Sequence, residues 1–160
     1  MTKEPRIRTV SRSDREAWLS LRSRLWPARP PEGLANEVDS YLSGGDLWKF
    51  GTDSIPFLVL MADHPTEGIV GFLEASLRPF ADRCRTAPVG YLEGWFVVPE
   101  MRRRGIGGAL VRSAEDWARA HGCREMASDA HTDNLVSEQS HRALGYEEVD
   151  RLIHFRRELG

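Results

Sequence analysis

Cysteine is scarce: Cys84 and Cys123 are the only two in 160 residues, and nothing around them looks like a disulfide framework or a zinc site. Long apolar runs are missing too. The stretch from Ile55 to Ala62 falls well short of the roughly 20 residues that cross a bilayer, so no membrane span or membrane partner is expected. Met1-Thr2-Lys3-Glu4-Pro5-Arg6 has no apolar stretch behind it, so the reading is a cytoplasmic protein without a secretory leader. No charge of one sign dominates. The net charge of −2 gives no electrostatic reason to expect nucleic acid. No metal site, nucleophile triad, internal repeat, linker or low-complexity tract stands out.

What is present is an ordinary soluble composition, 41% apolar and 29% charged, at a length that fits one domain over residues 1–160. Arg6 to Val10 alternates polar and apolar residues and predicts a short strand. Ser11 or Ser13 then caps a helix, with Glu16 completing a capping box behind Ser13; its apolar face is Trp18, Leu21 and Leu25, and Pro27 stops it. A second helix is predicted over Leu34 to Leu42, ended by Gly44-Gly45. Strands follow at Phe57 to Met61, Gly68 to Leu77 and Val89 to Val98. The clearest helix runs from Gly105 to Ala120. A short strand at Arg124 to Ser128, a helix at Asn134 to Leu144 and a last strand at Glu148 to Phe155 complete the chain. The order predicts an α/β fold, helices covering a mostly antiparallel sheet with one parallel pairing. Trp18, Trp26, Trp48, Trp95 and Trp117 read first as core. Trp26 and Trp48 lie among proline, glycine and polar residues, where an aromatic-walled cleft is easier to build.

The most informative segment is Val97-Val98-Pro99-Glu100-Met101-Arg102-Arg103-Arg104-Gly105-Ile106-Gly107-Gly108-Ala109-Leu110. A strand ends, three arginines follow, and a glycine-rich bend opens an amphipathic helix. Gly105, Gly107 and Gly108 remove Cβ atoms where backbone approaches a ligand. The first amides of the helix have no intrahelical acceptor and the dipole adds positive potential, which makes an anion site suited to a pyrophosphate. The bland alternative is a glycine-rich turn with a solvated basic patch. The segment is neither a P-loop, for it lacks Gly-Lys-Ser/Thr, nor a Gly-x-Gly-x-x-Gly fingerprint.

Arg102-Arg103-Arg104-Gly105-Ile106-Gly107 resembles the pyrophosphate loop, (Arg/Gln)-x-x-Gly-x-(Gly/Ala), of the GNAT superfamily of N-acetyltransferases. The resemblance implies the GNAT fold, a mixed sheet with splayed strands flanked by helices, and acetyl-CoA as co-substrate with no metal. It also implies a bulge in the strand before the loop. Phe96, Val97 and Val98 would then pair their backbone with the pantetheine arm, Arg103, Arg104, Gly105, Ile106, Gly107 and Gly108 would hold the pyrophosphate, and Asn134 would contact acetyl-CoA.

Five further segments narrow the likeness: Leu21-Arg22-x-x-Leu25-Trp26-Pro27, Glu74-Ala75-Ser76-x-Arg78, Pro88-Val89-x-x-Leu92-Glu93-Gly94, Arg124 to Asp129 and His141 to Glu148. Together they are similar to the aminoglycoside 6′-N-acetyltransferases over nearly the whole chain. That resemblance implies acetylation of an aminoglycoside 6′-amine, antibiotic resistance and a homodimer. It places Trp26, Glu93, Asp129 and Asp150 against the drug, with Phe80 nearest to a tyrosine of that family. Asp150 stands where the family more often has Glu. Aminoglycosides carry several ammonium groups, so carboxylates suit the site. Before it can attack a thioester the amine must lose a proton, to Asp129 or to Glu93 through a water, while a backbone amide near Val97 polarises the carbonyl. His141 stands where related enzymes place a tyrosine that protonates the departing thiolate. Two other readings stay open: an acetyltransferase of the same fold for a polyamine or another small amine, and a non-catalytic acyl-CoA-binding module.

Overall fold

Residues 4–47, 49–50 and 53–160 are described by the structure, a computed structural model; Trp48 and its expected cleft lie outside them. The chain divides into two units, Met1–Ser128 and Asp129–Gly160.

In the first unit, α1 (Arg15–Leu25) and α2 (Pro31–Leu42) follow strand β1 (Arg6–Thr9). Of the two serines expected to cap, Ser11 is the one that opens the helical segment, but its box closes on Asp14 rather than on Glu16 behind Ser13. The Ser11 amide donates to the Asp14 carboxylate at 2.7 Å, and one turn of 3₁₀ helix leads into α1, while Glu16 pairs with Arg15. Pro31 opens α2 at a position where a missing amide hydrogen costs nothing, three residues earlier than the apolar pattern indicates. A small ribbon, β2 (Lys49–Phe50) with β3 (Asp53–Ser54), was not foreseen. The long strands are β4 (Phe57–His64), β5 (Gly68–Arg78) and β6 (Val89–Val97), then α3 (Ile106–Ala120) and β7 (Met126–Ser128). The sheet order is β1-β4-β5-β6-β7, antiparallel except for the β6–β7 pair. That is the mixed sheet expected from the sequence.

Helices cover both faces. Trp18 and Leu21 of α1 and Val38 of α2 pack with Val59, Met61 and Phe72. Residues of the other parity, such as Leu77, meet Ala118 of α3. Each of these side chains contributes about 1.5–3 kcal/mol by leaving water, and truncating Phe72 to Ala would cost about 3–5 kcal/mol. Within α3, Ile106, Leu110, Val111, Ala114 and Ala118 form the buried stripe, while Trp117, which the periodicity also assigns to that side, is only half-buried.

The second unit contains α4 (Leu135–Ala143), capped by Asn134, whose side chain accepts the Ser137 amide at 3.1 Å. The last strand expected at Glu148 to Phe155 does not form; residues 146–160 have no regular structure. A strand exists only where a neighbour supplies its ladder, and alternation alone cannot supply one. Val149, Leu152, Ile153 and Phe155 stay exposed instead, Phe155 to 92%.

Candidate active site

The site begins with a fault in the sheet. Ala75 of β5 pairs with Leu92 but Glu74 pairs with Gly94, leaving Glu93 as the extra residue of a β-bulge. A bulge reverses the alternation of side chains beyond it. Gly90 faces Ala118 of α3, and Trp95 lies over Gly107 at the start of the same helix. Gly94 instead faces Leu25 and Trp26 of the α1 side, as Phe96 does. Glu93 and Gly94 therefore both belong to the α1 face. A Cβ on Gly94 would lie 2.6 Å from the Trp26 indole, so glycine is what lets that ring lie across the bulge.

The Glu93 carboxylate is well held. It accepts the Ser76 hydroxyl and a two-pronged contact from Arg78, Nε to Oε1 at 2.9 Å and NH2 to Oε2 at 2.7 Å. Trp26 is half-buried. The guanidinium carbons of Arg22 and Arg29 lie 5.1 and 6.0 Å from its ring centre. Beneath it runs a buried polar network that the sequence reading missed. Glu74 accepts Trp18 Nε1 at 2.9 Å and Arg22 Nε at 2.8 Å, and Arg22 also donates to Glu37 at 2.8 Å. Burial pushes the Glu74 carboxyl up from its ordinary range, and the Arg22 charge opposes this.

Beyond the bulge, β6 loses a neighbour. Its pairing with β7 covers only Gly90, Tyr91 and Leu92, so from Glu93 to Val97 one edge of β6 has no strand partner among the described residues. The Val98 amide donates to Val70 at 2.9 Å, and its carbonyl accepts from Met101. Antiparallel pairing alternates, so Phe96 also bonds toward β5, whereas the Val97 amide and carbonyl point to the open edge. Arg102 takes that carbonyl from the open side, Nε at 2.8 Å. Of the three residues expected to pair with the pantetheine arm, Val97 is thus the one whose backbone faces the open edge.

The basic loop then divides. Arg102 is tied to β6, while Arg103 and Arg104 are exposed and make no ion pair among the described residues. Gly105 has φ +79°, a left-handed conformation, and no atom crowds its missing Cβ. The first α-helical bond of α3 runs from Ala109 to Gly105, so the Ile106, Gly107 and Gly108 amides have no such acceptor, and no acid sits in the first turn. Donors, a dipole and two unpaired arginines fit a pyrophosphate. Gly107 has a different reason from the one expected: a Cβ there would lie 2.8 Å from the Trp95 indole, so it serves packing.

The remaining expected residues are set as follows. Phe80 is exposed in the loop between β5 and β6. In the second unit, Asp129 is exposed and engages no other group among the described residues. Asn134 is the cap of α4, and Asp150 accepts the Arg151 amide at 2.8 Å. His141 is half-buried, its Nδ1 2.7 Å from the Ser137 carbonyl and its ring edge-on to Tyr146. That contact makes Nδ1 the donor, which puts the proton of the neutral ring there. Burial pushes the Cys84 and Cys123 thiols up, away from thiolate chemistry. No group that would hold a metal occurs among the described residues, and none of their helices is long and apolar enough to cross a membrane.

Comparison with known proteins agrees with this geometry. The model of the acetyltransferase (GNAT) family matches residues 16–146. An aminoglycoside N(6′)-acetyltransferase type 1 of Klebsiella aerogenes is 41% identical over 99% of this chain and 100% of its own. One from Salmonella typhimurium is 36% identical over 94% and 97%. Among solved structures, the aminoglycoside 6′-N-acetyltransferase AAC(6′)-IG of Acinetobacter haemolyticus aligns with a TM-score of 0.83 at 33% identity, covering 97% of this chain and 99% of that one. AAC(6′)-Iy in complex with a CoA–acetylneamine bisubstrate analogue aligns at 0.80 and 34%, covering 98% and 100%. The chain belongs to the acetyltransferase (GNAT) family, and its chemistry is acetyl-CoA-dependent N-acetyl transfer.

Proposed function

We propose that the chain acts as one acetyltransferase domain that acetylates the 6′-amine of aminoglycosides and so confers resistance to them. The observation that carries this reading is the bulge at Glu93. It turns a carboxylate and the Trp26 ring to one face where β6 leaves β7, and relatives of that specificity match the chain end to end.

Acetyl-CoA supplies the acetyl thioester. The amides at the start of α3 with Arg103 and Arg104 hold its pyrophosphate, and Asn134 is a further contact. The Val97 amide donates to the carbonyl oxygen as charge develops there. Asp129 takes a proton from the acceptor's ammonium, which frees the amine lone pair to attack the thioester carbonyl. What supports Asp129 over Glu93 is that Glu93 has three of about four lone-pair positions filled by its own chain, whereas Asp129 has none filled among the described residues. Glu93, Trp26, Phe80 and Asp150 bind the acceptor, and His141, as the doubly protonated imidazolium, gives its Nε2 proton to the leaving thiolate and is left neutral. Transfer is direct, without an acetyl-enzyme.

The reading also takes the protein to be a cytoplasmic homodimer that binds neither nucleic acid nor membrane. The exposed apolar side chains of residues 149–159 support pairing; sedimentation showing only monomer at micromolar concentration would reject it. The function is tested by CoA release from acetyl-CoA across aminoglycosides with and without a 6′-amine, and across polyamines. Turnover should require the 6′-amine. Equal turnover with spermidine would refute the assignment. Asp129→Asn should lower kcat and Asp150→Asn should raise the acceptor KM; wild-type kcat in Asp129→Asn removes it as the base.

A further inference from the structure

Beside Glu93 stands a cation that the scheme above does not use. Arg78, the last residue of β5, grips both oxygens of Glu93, and its guanidinium carbon lies 3.5 Å from the centre of the Tyr91 ring. Ser76, two residues earlier and so on the same face, adds its hydroxyl to Oε1. The arrangement follows from strand register, with Ser76 opposite Tyr91 and Arg78 opposite Val89. Side-chain exposures of 20% for Arg78 and 17% for Glu93 leave the pair within reach of a ligand.

We propose that Arg78 is a specificity-determining residue: it competes with the acceptor's ammonium for Glu93 and so sets how much positive charge an acceptor must bring. This rests on the reading of Glu93 as an acceptor contact. An amine with one charge would exchange one cation for another on the same carboxylate and gain little. It would also trade a planar, two-pronged, ring-stacked guanidinium for a point charge. A polycation has further ammonium groups for other carboxylates, so its hold does not depend on winning Glu93 outright. The pair thus discriminates against simple monoamines by keeping the site's charge low until a multiply charged acceptor arrives.

The test compares acceptor KM for a mono-ammonium sugar, 6-amino-6-deoxyglucose, and for an aminoglycoside of several ammonium groups. Wild type, Arg78→Gln, Arg78→Met and Arg78→Lys are measured at low and high salt. Removing the charge should lower KM for the monoamine by about fivefold at low salt and for the polycation by about twofold or less, a partly exposed-pair effect that salt shrinks. The KM for acetyl-CoA should hold within about twofold, and Arg78→Lys should fall between wild type and the neutral variants, because it keeps the charge but loses the two-pronged, ring-stacked hold. The two neutral variants differ in whether they still hydrogen-bond Glu93, so the same fall in either one that folds assigns the effect to charge. A rise in KM for both acceptors in the neutral variants would overturn the proposal and make Arg78 a support that orients Glu93. No change in either would make it a bystander. Glu93→Gln separates the two levels: an unchanged acceptor KM there sinks the reading of Glu93 itself, whereas a raised KM with no fall in Arg78→Gln sinks only the role of Arg78.

Discussion

Replacing Arg22 by Met should destabilise the protein far more than an ordinary surface change, and a second substitution should undo most of the damage. Arg22 and Glu74 are each 2% exposed, and Glu74 keeps only the Trp18 indole N–H when the guanidinium is gone. Breaking one side of such a pair costs about 3–5 kcal/mol, because the other charge stays buried without compensation. That is a large share of a folding free energy of about 5–15 kcal/mol. Adding Glu74→Gln to Arg22→Met removes the stranded charge while an amide oxygen still accepts from Trp18, so the double variant should return to within about 1 kcal/mol of wild type. The pH dependence has a definite sign. Without Arg22 the folded-state pKa of Glu74 moves further above its unfolded value, so the folded protein holds the proton more tightly. The penalty is then smallest near the unfolded carboxylate range, around pH 4–5, and grows as pH rises through the folded pKa. Urea unfolding of wild type, Arg22→Met, Glu74→Gln and the double variant at pH 8 and pH 5.5 reads all of this, provided m is unchanged. A loss below about 1 kcal/mol in Arg22→Met, or a Glu74→Gln change that adds to the loss rather than reversing it, refutes the reasoning.

Three other expectations follow from the same structure. Gly105→Asp puts a side chain at φ +79° and a negative charge at the donor end of α3; the fold should persist while acetyl-CoA affinity drops by about 100-fold or more, and normal affinity by calorimetry would refute the anion site. Hydrogen bonding from Arg8 lowers the Asp14 carboxyl to about 2, so its stabilisation is full above the unfolded value near 4 and disappears as pH falls from there through about 2. Wild type should therefore lose up to about 2 kcal/mol more than Asp14→Asn over that acid range, and parallel acid-unfolding curves would contradict it. His141→Ala should lower kcat by less than about 10²-fold with acetyl-CoA affinity unchanged, since a thiol of pKa about 8.5 leaves tolerably as thiolate; a loss of several thousandfold shows a stronger need for the acid.

What the amino-acid order made legible is what depends on near neighbours. The α3 stripe recurs every three or four residues, and Arg103, Arg104 and Gly105 stand consecutively before it, so both the helix and its basic, glycine-led start could be read in line. The stop of α1 before Pro27 and the cap at Asn134 are equally local. The buried network is not: Trp18 and Arg22 reach Glu74 across more than 50 residues, and nothing in a run of carboxylates and arginines says which pairs will be buried together. The missing last strand fails for the same reason, because alternation from Glu148 to Phe155 describes a segment able to pair without saying what it pairs with.

Glu93 shows where the boundary falls. Glycine beside a carboxylate in an otherwise apolar strand is a local sign of a bulge, and it could have been read without any resemblance. What the bulge does to Glu93 could not, because that depends on Ser76 and Arg78 arriving on the adjoining strand in one particular register. Sequence alone therefore left two carboxylates interchangeable as proton acceptor. Their surroundings differ: Glu93 is gripped by Ser76 and Arg78 of its own chain, whereas Asp129 is exposed and engages no other group among the described residues.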